Sequence, residues 1–165
     1  MKLALLVIDV QKEFYQSSPQ TAQSLKDAVN QINDVIELFR AQSLPIFCVQ
    51  HIDEKENLIP GEVGFDLPDE LNILPSDPHI HKTYSNAFNK TSLPNALQEL
   101  DIDTVIITGF CAEYCVFATY RGAKDNDLTP IILRGSIASG IPENIRFVES
   151  INEIISYEAL KKVLE

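Results

Sequence analysis

The sequence predicts an α/β fold, a doubly wound sheet of parallel-type strands with helices on both faces, in one domain over residues 1–165. Three observations carry this. Strand-like and helix-like segments alternate along the chain. The strand-like segments are short, uninterrupted aliphatic runs, as expected of strands buried on both faces. A length of 165 residues, 45% hydrophobic and 22% charged, suits one domain with one substantial core.

The elements follow in order. Leu3 to Val10 is a continuous aliphatic run and reads as the first strand. From Thr21 to Gln42, residues such as Leu25, Val29, Ile32, Ile36 and Phe39 recur at helical spacing, predicting one amphipathic helix. Pro45 to Gln50 is a second buried strand. Residues 51–80 carry Pro60, Gly61, Gly64, Pro68, Pro75 and Pro78 with little periodicity and read as a long functional loop. Pro94 to Leu100 predicts a short helix, with its proline early, where the missing N–H costs nothing. Thr104 to Thr108 is a strand ended by Gly109, and a helix runs from about Glu113 to Lys124. Thr129 to Leu133 is a strand, Glu143 to Ser150 a helix, and Glu153 to Ser156 a short strand. Ser156 then reads as the N-cap of a last helix through Leu164.

Composition removes several classes of function. Thirteen Lys+Arg against 24 Asp+Glu give a formal charge of −11, with no basic cluster to grip a phosphate backbone or anionic lipid. Neither a nucleic acid nor a membrane is therefore expected as a partner. No apolar run approaches the roughly 20 residues of a membrane span. The apolar start is short, is broken by Asp9 and lacks a small-residue cleavage site, so it reads as a strand rather than an export signal. Three cysteines, at 48, 111 and 115, point to reduced thiols and a cytoplasmic location.

Open α/β sheets bind ligands at the carboxyl ends of their strands, so the residues just after each strand are the candidates for chemistry. Asp9 closes an apolar strand, where a carboxylate needs partners to offset desolvation; a strand-end backbone cap is the plainer role. Cys115 sits where a buried strand turns into a helix, and first-turn N–H groups there favour a thiolate and are placed to hold an oxyanion. Buried packing is the plainer role for any free cysteine, and Cys48, inside an aliphatic strand, is expected to do only that. His79 and His81 have a spacing that suits two metal ligands, but only His51 is left to help them, and Cys111 and Cys115 lack a second pair, so neither metal nor cofactor is expected. Lys82 beside a carboxylate and a thiol would stabilise the thiolate and orient the acid; spacing does not place it there.

Three stretches, Leu6-Val7-Ile8-Asp9-Val10-Gln11-Lys12-Glu13-Phe14, Lys82-Thr83-Tyr84-Ser85-Asn86-Ala87-Phe88 and Ile107-Thr108-Gly109-Phe110-Cys111-Ala112-Glu113-Tyr114-Cys115-Val116, resemble the signatures of the isochorismatase-like cysteine hydrolase superfamily. Its members include nicotinamidases, N-carbamoylsarcosine amidase and other small-amide hydrolases. The order and spacing match across nearly the whole chain. The resemblance implies a three-layer αβα sandwich with a mainly parallel sheet of about six strands. It implies a catalytic triad of Asp9, Lys82 and Cys115, and homo-oligomers, dimers or tetramers, whose neighbouring subunits border the site. It also implies a non-proline cis peptide between Phe110 and Cys111, which turns the Cys111 N–H beside that of Cys115 as a two-donor oxyanion hole. The chain departs from the metal-binding nicotinamidases, which carry Asp-x-His after the second strand, where this chain has Gln50-His51-Ile52-Asp53-Glu54. It departs equally from true isochorismate hydrolases, which have a small residue in place of Cys115.

The expected reaction is cleavage of a C–N bond in a small amide through a thioester on Cys115, with Asp9 as acid and base and Lys82 as electrostatic partner. Phe14, Tyr84, Phe88 and Tyr114 neighbour the motifs and are expected to wall an apolar pocket. Two other readings stand beside it. One is a hydrolase of this fold acting on an ester or vinyl ether; the other is a non-catalytic small-molecule-binding member of the fold.

Overall fold

The computed structural model describes residues 1–165. Its strands are β1 (Leu3–Ile8), β2 (Ile46–His51), β3 (His79–Lys82), β4 (Thr104–Phe110), β5 (Thr129–Ala138) and β6 (Ile154–Ile155). They pair in the order β3-β2-β1-β4-β5-β6, and every neighbouring pair is parallel. The helices are α1 (Pro19–Ala41), α2 (Leu93–Glu99), α3 (Phe117–Asp125), α4 (Pro142–Ser150) and α5 (Tyr157–Leu164).

The period-two alternation of β1 explains the layers. Leu3, Leu5 and Val7 point to the face covered by α1 and α5, where they meet Leu25, Ile32, Phe39 and Leu160. Ala4, Leu6 and Ile8 point to the opposite face, against Leu97 of α2, Tyr120 of α3 and Val148 of α4. β1 is buried along its whole length because both faces are covered. α1 begins at the N-cap Ser18, whose Oγ accepts the Thr21 N–H at 3.0 Å, with Pro19 in the first turn. Ser156 caps α5 in the same way, accepting from the Ala159 N–H at 3.3 Å.

Three segments differ from the sequence expectation. Residues 51–80 are not wholly loop: their end leads into β3, a four-residue edge strand whose alternating exposed and buried residues carry too little apolar character to be seen. β5 runs five residues beyond Leu133, through a register shift opposite Ile107–Gly109. The helix expected from Glu113 opens instead as a π-type turn, Ala112–Val116, before α3 begins at Phe117.

β1 lies between β2 and β4; the chain runs outward from β1 through β2 to β3, and from β4 in the opposite direction through β5 to β6. The two connections diverge at the carboxyl ends of β1 and β4 and leave a crevice there.

Candidate active site

Asp9 follows directly on β1 in a left-handed conformation, φ +51°. Its N–H stays in the sheet, donating to the Val49 carbonyl at 2.9 Å, while its side chain turns into the crevice. The buried Gln11 pins the neighbouring strand end. Its Nε2 donates to the carbonyls of His51 (3.1 Å) and Phe65 (3.2 Å), and its Oε1 accepts the His51 N–H at 2.8 Å. Across from Asp9, Gly109 has φ +113°, and a Cβ there would collide with the Ile8 carbonyl. Only glycine lets β4 run this close to β1. The Phe110–Cys111 peptide is cis, as the resemblance implied. Cys111 then caps the π-type turn, its carbonyl accepting the N–H groups of Tyr114 and Val116 at 3.0 and 3.1 Å. That turn delivers Cys115 to the crevice.

The three residues that the sequence motifs singled out meet there. Lys82, brought by the edge strand, places Nζ 2.7 Å from Asp9 Oδ2 and donates to Cys115 Sγ at 3.3 Å. A third contact was not foreseen: Lys82 Nζ lies 3.0 Å from Nδ1 of His51, at the end of β2. An ammonium has three N–H groups and no acceptor. In its contact with His51 the ammonium therefore donates and Nδ1 accepts, which makes His51 the neutral tautomer with its proton on Nε2. Both carboxylate oxygens of Asp9 are sealed from water, and neither completes a hydrogen bond beyond the Lys82 ion pair.

Burial raises the Asp9 carboxyl above the usual carboxylate range, against the pull of Lys82. Burial, with the charge of Lys82, lowers His51 and keeps its ring neutral. The first-turn N–H groups expected to favour a thiolate at Cys115 are opposed by its surroundings. Burial first, and then the Asp9 carboxylate, push the thiol up to about 12, which outweighs Lys82. Cys115 thus rests as a thiol beside a carboxylate of raised basicity. Cys111 is likewise pushed up to about 12, by burial and by its contact with Glu113.

Asp9, His51 and Cys115 bring their ligand-type atoms within 4.8 Å of one another. They do not fit a metal ion, because the Lys82 ammonium already touches all three. The other histidines are engaged elsewhere. His79 Nδ1 lies 3.1 Å from Gln50 Oε1, and His81 stands edge-on to the Phe65 ring at 5.2 Å.

The crevice opens as a cavity of about 480 Å³. Phe14 and Tyr114 line it, and Phe110 packs against Phe14 with ring centroids 4.8 Å apart and ring planes inclined at 40°. Tyr84 and Phe88 do not line it. Tyr84 faces solvent and accepts a hydrogen bond from Lys90 at 3.1 Å, while Phe88 is buried in the core below α2 and α3. The reason is local: past Lys82 the chain leaves the sheet, so the residues next to it in sequence turn away from the crevice. Glu13 and Asp53 on the rim lie in the stretches just after β1 and β2 where chemistry was expected, whereas Ser17, Glu56 and Leu58, further along the same connections, were not singled out. Their only signal was position, on the connections beyond strand ends.

A side-chain network anchors the turn that carries Cys115. Glu113 Oε1 accepts from Ser139 Oγ at 3.0 Å and from Asn144 Nδ2 at 2.9 Å, and Oε2 accepts from Cys111 Sγ at 3.0 Å. It ties the turn to the β5–α4 connection.

Comparison with known proteins agrees with this architecture. Residues 3–148 match the model of the isochorismatase domain. The uncharacterized isochorismatase family protein YddQ of Bacillus subtilis (strain 168) is 28% identical over 129 residues, 76% of this chain and 72% of that protein. N-carbamoylsarcosine amidase of Arthrobacter sp is 24% identical, over 93% of this chain and 70% of its own length. The crystal structure of N-carbamoylsarcosine amidase from Thermoplasma acidophilum superposes with a TM-score of 0.80 at 25% identity, over 94% of this chain and 96% of that one. The model match covers most of the chain. The chain belongs to the isochorismatase family of hydrolases.

Proposed function

We propose that this protein is a cysteine hydrolase that cleaves the C–N bond of a small amide. The observation that carries the reading is the contact of one buried ammonium, Lys82, with both Asp9 and Cys115 at the base of an open cavity. A carboxyl of raised basicity beside a neutral thiol suits a proton relay. As the substrate carbonyl approaches, Asp9 takes the proton from Cys115 Sγ, and the sulfur forms a bond to the carbonyl carbon. Lys82 balances the charge around the transferred proton.

The tetrahedral oxyanion lies against the N–H groups of Cys111 and Cys115. In support, the Cys111 N–H donates to no group within the chain. Collapse breaks the C–N bond, and Asp9 returns its proton to the departing nitrogen. Asp9 then takes a proton from water, whose oxygen attacks the thioester; collapse breaks the C–S bond, releases the acid, and returns the proton from Asp9 to Cys115 Sγ. No metal or cofactor enters these steps. The two N-carbamoylsarcosine amidases among the similar proteins favour an amide over an ester or a vinyl ether. A non-catalytic binding role would not require all three reacting groups to converge.

The test is mass analysis of protein quenched during turnover of a panel of small amides. An acyl adduct on Cys115, absent in Cys115→Ala together with turnover, is the expected result. Substantial hydrolysis by a folded Cys115→Ala variant overturns the assignment. Assembly as a homo-oligomer belongs to the same proposal. It is supported by the exposed apolar residues Tyr114, Ile141, Phe147 and Ile151 on α4 and beside the site, and sedimentation checks it.

A further inference from the structure

The cavity above Cys115 is lined by Glu13, Asp53 and Glu56 in addition to Asp9, and by no lysine or arginine. Lys82 lies beneath it, sealed from water and neutralised by Asp9 at 2.7 Å. His51 holds no charge to offset the rim, because its Nδ1 accepts from that same ammonium. None of Glu13, Asp53 and Glu56 is engaged in an ion pair, although Lys12, next to Glu13, reaches away to Asp69 at 3.2 Å. Two of the three are held in place. Glu13 packs over Gly64, where a Cβ would strike its carboxylate. Asp53 Oδ1 caps the turn Glu54–Glu56, accepting the Lys55 N–H at 2.9 Å.

The same cavity is lined by the tilted ring pair of Phe14 and Phe110 and by the exposed ring of Tyr114. Aromatic faces beside unpaired carboxylates attract an organic cation and repel a carboxylate or phosphate. At the floor, Asp9 is buried and ion-paired to Lys82 at 2.7 Å, and neither of its carboxylate oxygens completes a hydrogen bond.

Resting on the reading of Cys115 as nucleophile, we propose that the substrate is cationic: a small amide whose non-reacting part carries a protonated amine. The amine sits between Glu13, Asp53 and Glu56 while the amide carbonyl reaches Cys115. Amides that carry a carboxylate are excluded by the same rim.

The test uses three haloacetyl reagents of matched chemistry: N-(2-aminoethyl)iodoacetamide, iodoacetamide and N-iodoacetyl-β-alanine, which are cationic, neutral and anionic. Adducts at Cys115 are counted by peptide mass spectrometry, and each rate is divided by that of the same reagent with 2-mercaptoethanol. The normalised cation-to-anion ratio is expected to exceed about 10 at low ionic strength and to shrink toward unity at about 1 M salt. It is expected to collapse in the Glu13→Gln, Asp53→Asn, Glu56→Gln triple variant. It should persist when three exposed acids outside the cavity, Glu37, Glu99 and Glu158, are changed to Gln.

A ratio near unity with Cys115 alkylated overturns the cation preference and leaves the nucleophile standing. A ratio that survives the triple variant also overturns it. Absence of an acyl adduct on Cys115 while folded protein turns over an amide overturns the nucleophile reading instead, and the proposal with it.

Discussion

Lys82 Nζ and Asp9 Oδ2 lie 2.7 Å apart with 0% and 1% of their side chains exposed, the only ion pair of the molecule sealed on both sides. Such a pair contributes little net stability while intact, but removing one partner strands a charge in the interior. Lys82→Met is therefore expected to cost about 3–5 kcal/mol in a denaturant titration. Asp9→Leu combined with Lys82→Met is expected to recover most of that loss. A double variant as unstable as the single one would show that the pair is not what sets the cost.

The Asp9 carboxylate holds the Cys115 thiol up, so its removal is expected to separate acidity from catalysis. In Asp9→Asn the Cys115 thiol titrates at lower pH and alkylates faster near neutrality, while amide turnover is lost with its proton acceptor. The pH dependence of iodoacetamide labelling checks the first part. Slower labelling in Asp9→Asn would mean that Asp9 assists the thiol at rest.

His51 carries a pH signature. Its ring is lowered from its ordinary value by burial and by Lys82, so below about pH 6.5 the unfolded chain binds a proton that the folded one refuses. Its effect on stability is nil above that pH and grows more unfavourable as the pH falls toward 5. His81 is lowered by burial in the same sense. The stability difference between wild type and His51→Gln is expected to tilt against wild type over that window. Nitrogen NMR is expected to find the His51 proton on Nε2; a proton on Nδ1 would contradict donation from the Lys82 ammonium to that nitrogen.

Gly109→Ala tests the close approach of β4 to β1. With φ at +113° and the Ile8 carbonyl where the methyl would go, a loss of about 2–4 kcal/mol is expected in thermal or denaturant unfolding. A neutral substitution would mean that the two strands separate more readily than their register implies.

The parts legible in the sequence were those fixed by local pattern. β1, β2 and β4 are aliphatic runs, and a residue at the end of such a run points into the crevice, which is how Asp9 and Cys115 announced themselves. Lys82 gave no such sign. Its strand is four residues long with alternating exposure, and only the likeness of its flanking motif placed it. The role of His51 was hidden because it depends on the pairing of β2 with β3, which sets His51 opposite Lys82. The π-type turn before α3 was invisible to periodicity, since its residues keep helical spacing on either side. Tyr84 and Phe88 were misplaced for the converse reason: sequence neighbours of a site residue need not share its direction once the strand has ended.

Lys82 is carried by β3, the outermost strand, bonded along one side only and four residues long. Edge strands of this kind are the first parts of a sheet to open. Fraying at that margin would withdraw the site's one buried positive charge while β1, β2 and β4 remained paired around Asp9 and Cys115. Heat or mild denaturant would then silence the protein before its secondary structure melted, with hydrogen exchange at Ile80 and Lys82 running ahead of exchange at Leu6 and Ile107.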